Sequence, residues 1–304
     1  TRSVGLVSTS SVLHKLLNDE IKGNSEQLNK IIAGLFDSDG CVSIKFNSHE
    51  TSSYHDGGYY LIQIVAQIDQ SATNDPDHQM IRGLQRYFNA GSLSYRARDQ
   101  WAHQATLSFS GSKVDMLFNR IGKHLQIKGK HLDNMLWLYK ELKGVRLTLE
   151  QVEELREFSV CSRDNSGPLK LPKHISPAYL AGLIAGDGWI TVRIKVPRVR
   201  HGLLHYENEL SCAISLHELD SSVLDWIQKS YGGNVRAKDG NMKCWRRSLG
   251  KQSRTFALRF ISDILPFMLI EKKYLALQKI KEFHELPAET KCLNPAKGCD
   301  SPRR

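Results

Sequence analysis

No stretch of this 304-residue chain approaches the roughly 20 consecutive apolar residues that span a bilayer, so no membrane helix is expected. Thr1–Ser10 lacks the charged-then-apolar pattern of a secretory signal. The cysteines (Cys41, Cys161, Cys212, Cys244, Cys292 and Cys299) are scattered without a C-x-x-C pair. That usage argues against a structural zinc or a disulfide framework and for reduced thiols in a reducing compartment. Neither G-x-x-x-x-G-K-[ST] nor H-E-x-x-H occurs, which leaves nothing to support an ATPase or a zinc peptidase. The pairs His201/His205 and His124/His131 have no third ligand at a metal-binding spacing.

Positive charge is abundant. The net charge is +10 and the isoelectric point near 9.3, so a polyanionic partner is expected, nucleic acid ahead of an anionic membrane. A mean hydropathy of −0.38 with 40% hydrophobic residues is the balance of a folded, soluble chain.

The chain also resembles itself. Residues 30–44 read KIIAGLFDSDGCVSI and residues 178–194 read AYLAGLIAGDGWITVRI. Each has an apolar lead, Ala-Gly, an apolar pair, Asp-Gly and an alternating run, with Asp39 and Asp187 in matching places. The spacing is that of a domain, not of a solenoid repeat. In the first half, alternation predicts strands over 41–46, 59–70, 92–98 and 103–109, with helices over 78–88 and 113–142. In the second, strands are expected over 190–196, 208–218, 234–238 and 254–260, and helices over 221–231 and 262–286.

The fold class is therefore α+β: a pseudo-two-fold duplication of an αββαββα unit, each unit carrying a four-stranded antiparallel sheet. The expected organisation is an N-terminal extension (1–24), a first half (25–160), a linker (161–176), a second half (177–290) and a tail (291–304).

Local chemistry sharpens the two motifs. Ser176 is placed as an N-cap with Pro177 in the first helical turn. Gly40 and Gly188 are placed to end the motif helices as left-handed residues. Each Asp then lies at a helix C-terminus, where exposed carbonyls carry partial negative charge and a carboxylate needs a cation to offset it. A divalent metal would do so, with the preceding carbonyls of Ser38 and Gly186 and water as further hard ligands. Ala33-Gly34 and Ala181-Gly182 let two helices approach backbone to backbone. If they do, Asp39 and Asp187 meet and can hold metal ions astride a phosphodiester. One Asp-Gly alone is a common turn; two copies at matching positions in a basic, duplicated chain point to a shared site.

Residues 180–188, LAGLIAGDG, and 32–40, IAGLFDSDG, resemble the motif of the LAGLIDADG homing endonucleases, in their monomeric two-motif class. The likeness runs from about residue 25 to 288. It implies motif helices at the domain interface, sheets forming a saddle over double-stranded DNA, and cleavage across the minor groove leaving short 3′ overhangs. It also implies intron homing and Mg²⁺ bound by Asp39 and Asp187, with Mn²⁺ substituting and Ca²⁺ binding without supporting cleavage. Ala185 replaces the motif's first acid, which the family does not require. Polar residues at the end of the second strand, Gln70 and Glu218, are implied partners of the metal-bound water. A basic residue at the start of the last long helix is implied as well, Lys128 in the first half and Lys272 in the second.

The strand faces offer long polar side chains for phosphates and base edges. In the first half these are Lys45, Asn47, His49, Gln63, Gln67, Arg96, Arg98 and Gln104. In the second they are Arg193, Lys195, Arg198, Arg200, Arg236, Lys238, Lys243 and Arg246. The rival reading is an RNA-binding maturase that assists its host intron on the same fold. Retention of both motif acids favours the nuclease, since a pure binder has no use for two carboxylates facing a polyanion; the two roles can coexist.

Overall fold

The computed structural model describes residues 25–49, 58–71, 78–98, 101–164, 169, 171–194, 198–200, 203–205, 208–250 and 253–285. The expected N-terminal extension and C-terminal tail lie outside them. The first half runs α1 (Ser25–Asp39), β1 (Gly40–His49), β2 (Tyr59–Ser71), α2 (Gln79–Phe88), β3 (Ser92–Arg98), β4 (Trp101–Ser110), α3 (Ser112–Ile121) and α4 (Gly129–Leu142). A further helix, α5 (Leu149–Asp164), has no counterpart in the repeat and carries the chain towards the second half. There follow α6 (Pro177–Asp187), β5 (Gly188–Ile194), a small hairpin of β6 (Arg198–Arg200) and β7 (Leu203–His205), and β8 (Asn208–His217). The half closes with α7 (Ser221–Tyr231), β9 (Asn234–Lys238), β10 (Met242–Ser248), α8 (Arg254–Ile264) and α9 (Glu271–Glu285).

Both sheets are antiparallel and share one topology, β1-β2-β4-β3 in the first half and β5-β8-β10-β9 in the second. Period-two alternation gives each sheet a buried face. Ile44, Ile64, Ile68, Leu107 and Phe109 line the first, and Cys212, Ile214, Leu216 and Trp245 the second. The motif helices are buried nearly all round: α6 is covered from Ala178 to Ala185, and α1 from Ile31 to Asp37. Such a helix belongs between layers, not on a surface. No helix among the described residues is long and apolar enough to cross a membrane.

Three local expectations need correction. The strand expected over 254–260 is the start of α8, whose buried Ala257, Phe260, Ile261 and Ile264 follow helical spacing. The last strand is β10, reached from β9 through a tight turn in which Gly240 takes a φ of 64°. Asp239-Gly240 is a hairpin signal in its own right. Second, neither Gly40 nor Gly188 is left-handed; Gly188 has φ −90° and ψ 156°. Glycine is needed there for room. A Cβ on Gly40 would lie 2.5 Å from the carbonyl oxygen of Phe36, and one on Gly188 2.7 Å from that of Ile184. Third, Ser176 occupies the N-cap position but its side chain makes no capping hydrogen bond.

Candidate active site

The two motif helices touch along their glycines. A Cβ on Gly34 would stand 2.0 Å from the carbonyl oxygen of Tyr179, and one on Gly182 would stand 1.9 Å from that of Ile31. No residue larger than glycine fits either place without separating the helices. At the C-terminal ends the fit continues, since a Cβ on Gly186 would lie 2.0 Å from Ser38 Oγ and 3.0 Å from Asp39 Cγ. The last turns of α1 and α6 therefore bring Asp39 and Asp187 to one place at the junction of the halves.

Burial, and next to it the charge of Asp187, pushes the Asp39 carboxyl up to about 7. Burial likewise raises Asp187. Two carboxylates at the negative ends of two helices are destabilising by themselves. The structure supplies compensation at the helix ends in the form of two lysines, one from each half. Lys128 Nζ donates to the carbonyls of Phe36 (3.0 Å), Ser38 (2.8 Å) and Gly40 (2.6 Å). Lys273 Nζ donates to those of Ile184 (2.8 Å), Ala185 (2.6 Å) and Gly186 (3.2 Å). Burial lowers Lys273 to about 8, with Asp39 among the groups that oppose the shift.

The basic residue of the second half is thus Lys273, and Lys272 must be corrected: it is exposed, turned about 100° away from buried Lys273 on α9. The first basic residue of the helix start lies one place too early, because Lys128 precedes the first residue of α4 whereas Lys273 is the third residue of α9. Asp37 explains the difference. Its buried carboxylate accepts the backbone N–H of Gln126 (2.7 Å), Ile127 (3.1 Å) and Lys128 (2.8 Å) and the Tyr179 hydroxyl (2.8 Å). It tethers the start of α4 to α1 and to the other half. Burial still raises its carboxyl, against those hydrogen bonds. Ala185 stands at the matching position of α6, and the chain entering α9 is held there by buried Met268, Leu269 and Ile270.

Gln70 lies at the acid: its Nε2 donates to Asp39 Oδ2. Glu218 does not take the matching place. Strand register pairs Gly40 with Ile68 and Gly188 with Ile214, so Leu216 is the counterpart of Gln70, two residues beyond each pair. Glu218 is exposed in the 3₁₀ turn that follows β8. Counting the alternation to the first polar residue overshot by one repeat.

A divalent cation fits the donor set. Two hard carboxylates converge, one raised to about 7 in the absence of a counter-ion. Gln70 Oε1 is buried without a hydrogen-bond partner beside them, an acceptor suited to a metal-bound water. The Ser38 and Gly186 carbonyls already accept from the lysines, and each keeps a second lone pair. Among the described residues no group of three or more His, Cys, Asp or Glu gathers to hold a metal. Water and a phosphate would have to complete any coordination shell here.

The sequence pattern of the LAGLIDADG endonuclease family matches residues 32–139 and 180–284, one copy on each half. The chain belongs to the LAGLIDADG endonuclease family. No curated protein matches it. Among solved structures, this endonuclease resembles the I-SmaMI LAGLIDADG homing endonuclease bound to cleaved DNA, with 14% identity and a TM-score of 0.62 over 88% of this chain and 92% of that one. It is similar to I-GzeII in complex with its DNA target, at 13% identity and a TM-score of 0.61, covering 88% and 93% of the two chains. For I-AabMI bound to uncleaved DNA the figures are 13%, 0.58, 84% and 90%. At such identities the likeness is one of fold.

The sheet faces turned away from the endonuclease's helices carry most of the expected contact residues. Lys45, Asn47 and His49 on β1, Gln63 and Gln67 on β2, Arg96 on β3 and Gln104 on β4 share one face by register. Arg193, Arg236, Lys238 and Arg246 share the corresponding face of the second sheet. Lys243 is a correction: it lies on the face of buried Trp245, with Nζ 3.3 Å from Ser221 Oγ at the start of α7. The backbones of Arg98 and of Arg198 and Arg200 lie in β3 and β6, and Lys195 falls outside the described residues. Sequence reasoning passed over Trp189. It immediately follows the second Asp-Gly, is exposed on the outer face, and has Lys238 Nζ 5.2 Å from its ring centroid. An aromatic at an outward strand position was the available signal.

Proposed function

We propose that this chain is a site-specific homing endonuclease that makes a metal-dependent double-strand break in a long, asymmetric DNA target, leaving short 3′ overhangs and so propagating its host intron. The observation that carries the proposal is the convergence of Asp39 and Asp187 at the abutting ends of α1 and α6, both raised by burial and flanked by half-buried Lys128 and buried Lys273. Such an arrangement is costly for stability, and a site for cations that bind together with a phosphodiester gives it a use. The outward basic faces and the net charge of +10 support DNA as the partner. So does the likeness to proteins described as bound to DNA, one of them I-SmaMI bound to its target in the presence of calcium ions.

Asp39 and Asp187 would hold a divalent ion, which would supply Lewis acidity to the phosphodiester and make a water more acidic. Mg²⁺ is the proposed physiological ion, with Mn²⁺ as a substitute and Ca²⁺ as a ligand that permits binding alone. Asp39 and Asp187 hold the ions, and Gln70 orients the Asp39 carboxylate while offering Oε1 to a water. Lys128 and Lys273 fix the carbonyl ends of the motif helices. One polypeptide presents both half-sites, so a monomer can face an asymmetric target.

The test uses Asp39→Asn and Asp187→Asn with a DNA substrate selected from a randomised library in Mg²⁺. Each variant is expected to lose double-strand cleavage while retaining DNA binding. A single variant that still makes double-strand breaks in Mg²⁺ would place the chemistry elsewhere.

A further inference from the structure

The outer faces of the two sheets differ at one matched spot. In the second sheet Glu209 lies directly across from Arg193 on β5, and Arg246 reaches it from β10. Arg246 Nη2 donates to Glu209 Oε1 and lies 3.3 Å from Ser211 Oγ. Strand register puts Gln63 and Ser108 at these places in the first sheet. There Ser108, at the place of Arg246, accepts instead from Gln67 Nε2 at 2.9 Å, a neutral contact to a different position of the neighbouring strand.

A carboxylate on a surface meant for a polyanion needs a reason. If Arg246 served a phosphate, an acid behind it would defeat the purpose, since a charge-neutral pair releases few counter-ions and adds little affinity. What Glu209 does supply is orientation. It occupies one terminal nitrogen and fixes the plane of a guanidinium whose side chain is 52% exposed, while its own side chain is 25% exposed. A guanidinium held at one corner keeps further N–H groups in fixed geometry, the fork that matches O6 and N7 of guanine in the major groove.

We infer that Arg246, buttressed by Glu209, reads a guanine in the half-site under the second sheet, and that the first sheet has no equivalent reader at the matching position. The inference rests on the proposed DNA-cleaving function and concerns which base is recognised.

The full chain and its variants would each select bound duplexes from a randomised double-stranded library in Ca²⁺. Wild type is expected to enrich guanine at one position on one side of the target centre. Arg246→Ala should lower that enrichment about tenfold or more and leave the other positions alone. Arg246→Lys should lose it as well, because an ammonium keeps the charge but not the fork. Glu209→Gln should weaken the same position by less, and the double variant Glu209→Gln/Arg246→Ala should look like Arg246→Ala alone. Wild-type enrichment that Arg246→Ala leaves intact would overturn the inference. So would an even weakening of all sequences with the salt slope reduced by about one, the mark of a phosphate contact. A wild type that enriches no sequence would overturn the DNA-targeting reading and this inference together.

Discussion

At the end of the first motif helix a buried aspartate gathers three backbone N–H groups and a tyrosine hydroxyl; at the same place in the second helix stands an alanine. Around them the scaffold is the same. Both helices end in Asp-Gly, both send a strand to the edge of a four-stranded sheet, and both receive a lysine at their terminal carbonyls. The first half secures its lysine through a polar tether and gives its acid an amide partner, Gln70. The second half packs apolar residues instead and has Leu216 at the register position of Gln70. Two halves can therefore keep one topology while their reaction centres drift apart, because topology is set by strand pairing and the glycine contact, not by the polar residues around the acids.

The largest effect should come from the feature that the halves share. Gly34→Ala and Gly182→Ala each drive a methyl into the partner helix's backbone, and each should cost about 3 kcal/mol or more, as overpacking without room to relax. Thermal unfolding checks this. Gly122→Ala, in a right-handed helical conformation with its nearest foreign atom at 4.0 Å, should be neutral or slightly stabilising. If only one of the two interface glycines proved sensitive, the equivalence of the helices would be broken.

Next in size is the tether. Asp37→Ala orphans four donors and should cost about 2–3 kcal/mol, and Tyr179→Phe about 1 kcal/mol. Ala185→Ser, at the matching position, should change stability by less than about 1 kcal/mol. Denaturant titration would rank the three, and a costly Ala185→Ser would show that the second half is as tightly specified as the first.

Smaller changes should separate the two strands of the substrate. Gln70→Leu copies the second half into the first and should slow cleavage of one strand about tenfold, near the value of one hydrogen bond. Leu216→Gln should leave both rates within about twofold. Nicked-intermediate analysis reads both. Within the same assay Lys273→Met should impair one strand, whereas Lys272→Met should be silent; the reverse would restore Lys272 as the basic residue of the second half.

A last contrast is in pH. Asp39 titrates near 7 in the folded state against an ordinary 3.8, so between those values the folded protein holds a proton that the unfolded chain has lost. Without metal, its contribution to stability is therefore fully present below about pH 3.8 and is lost as pH rises through about 7. Melting curves in EDTA at pH 5 and pH 8 should differ more for wild type than for Asp39→Asn. An equal difference would mean that Asp39 carries its charge without strain.

The sequence by itself determined the duplication, the two sheets and the pair of acids, because each is written in local pattern. Strand alternation, Ala-Gly on a helix and Asp-Gly at its end all lie within a few residues of one another, and they recur. Even the wrong reasons were near the mark: Gly40 and Gly188 are required, though for contact with Phe36 and Ile184 and not for a positive φ. Tertiary structure decided what depends on register between distant segments. Leu216 in place of Glu218, Lys273 in place of Lys272, and the inward turn of Lys243 each follow from pairings across the fold. A shift of one residue in such a pairing reverses the face of a strand or rotates a helix by about 100°. The tether from Asp37 to residues 126–128 and to Tyr179 could not be counted along the chain, since its value lies in donors that meet only when the halves are assembled.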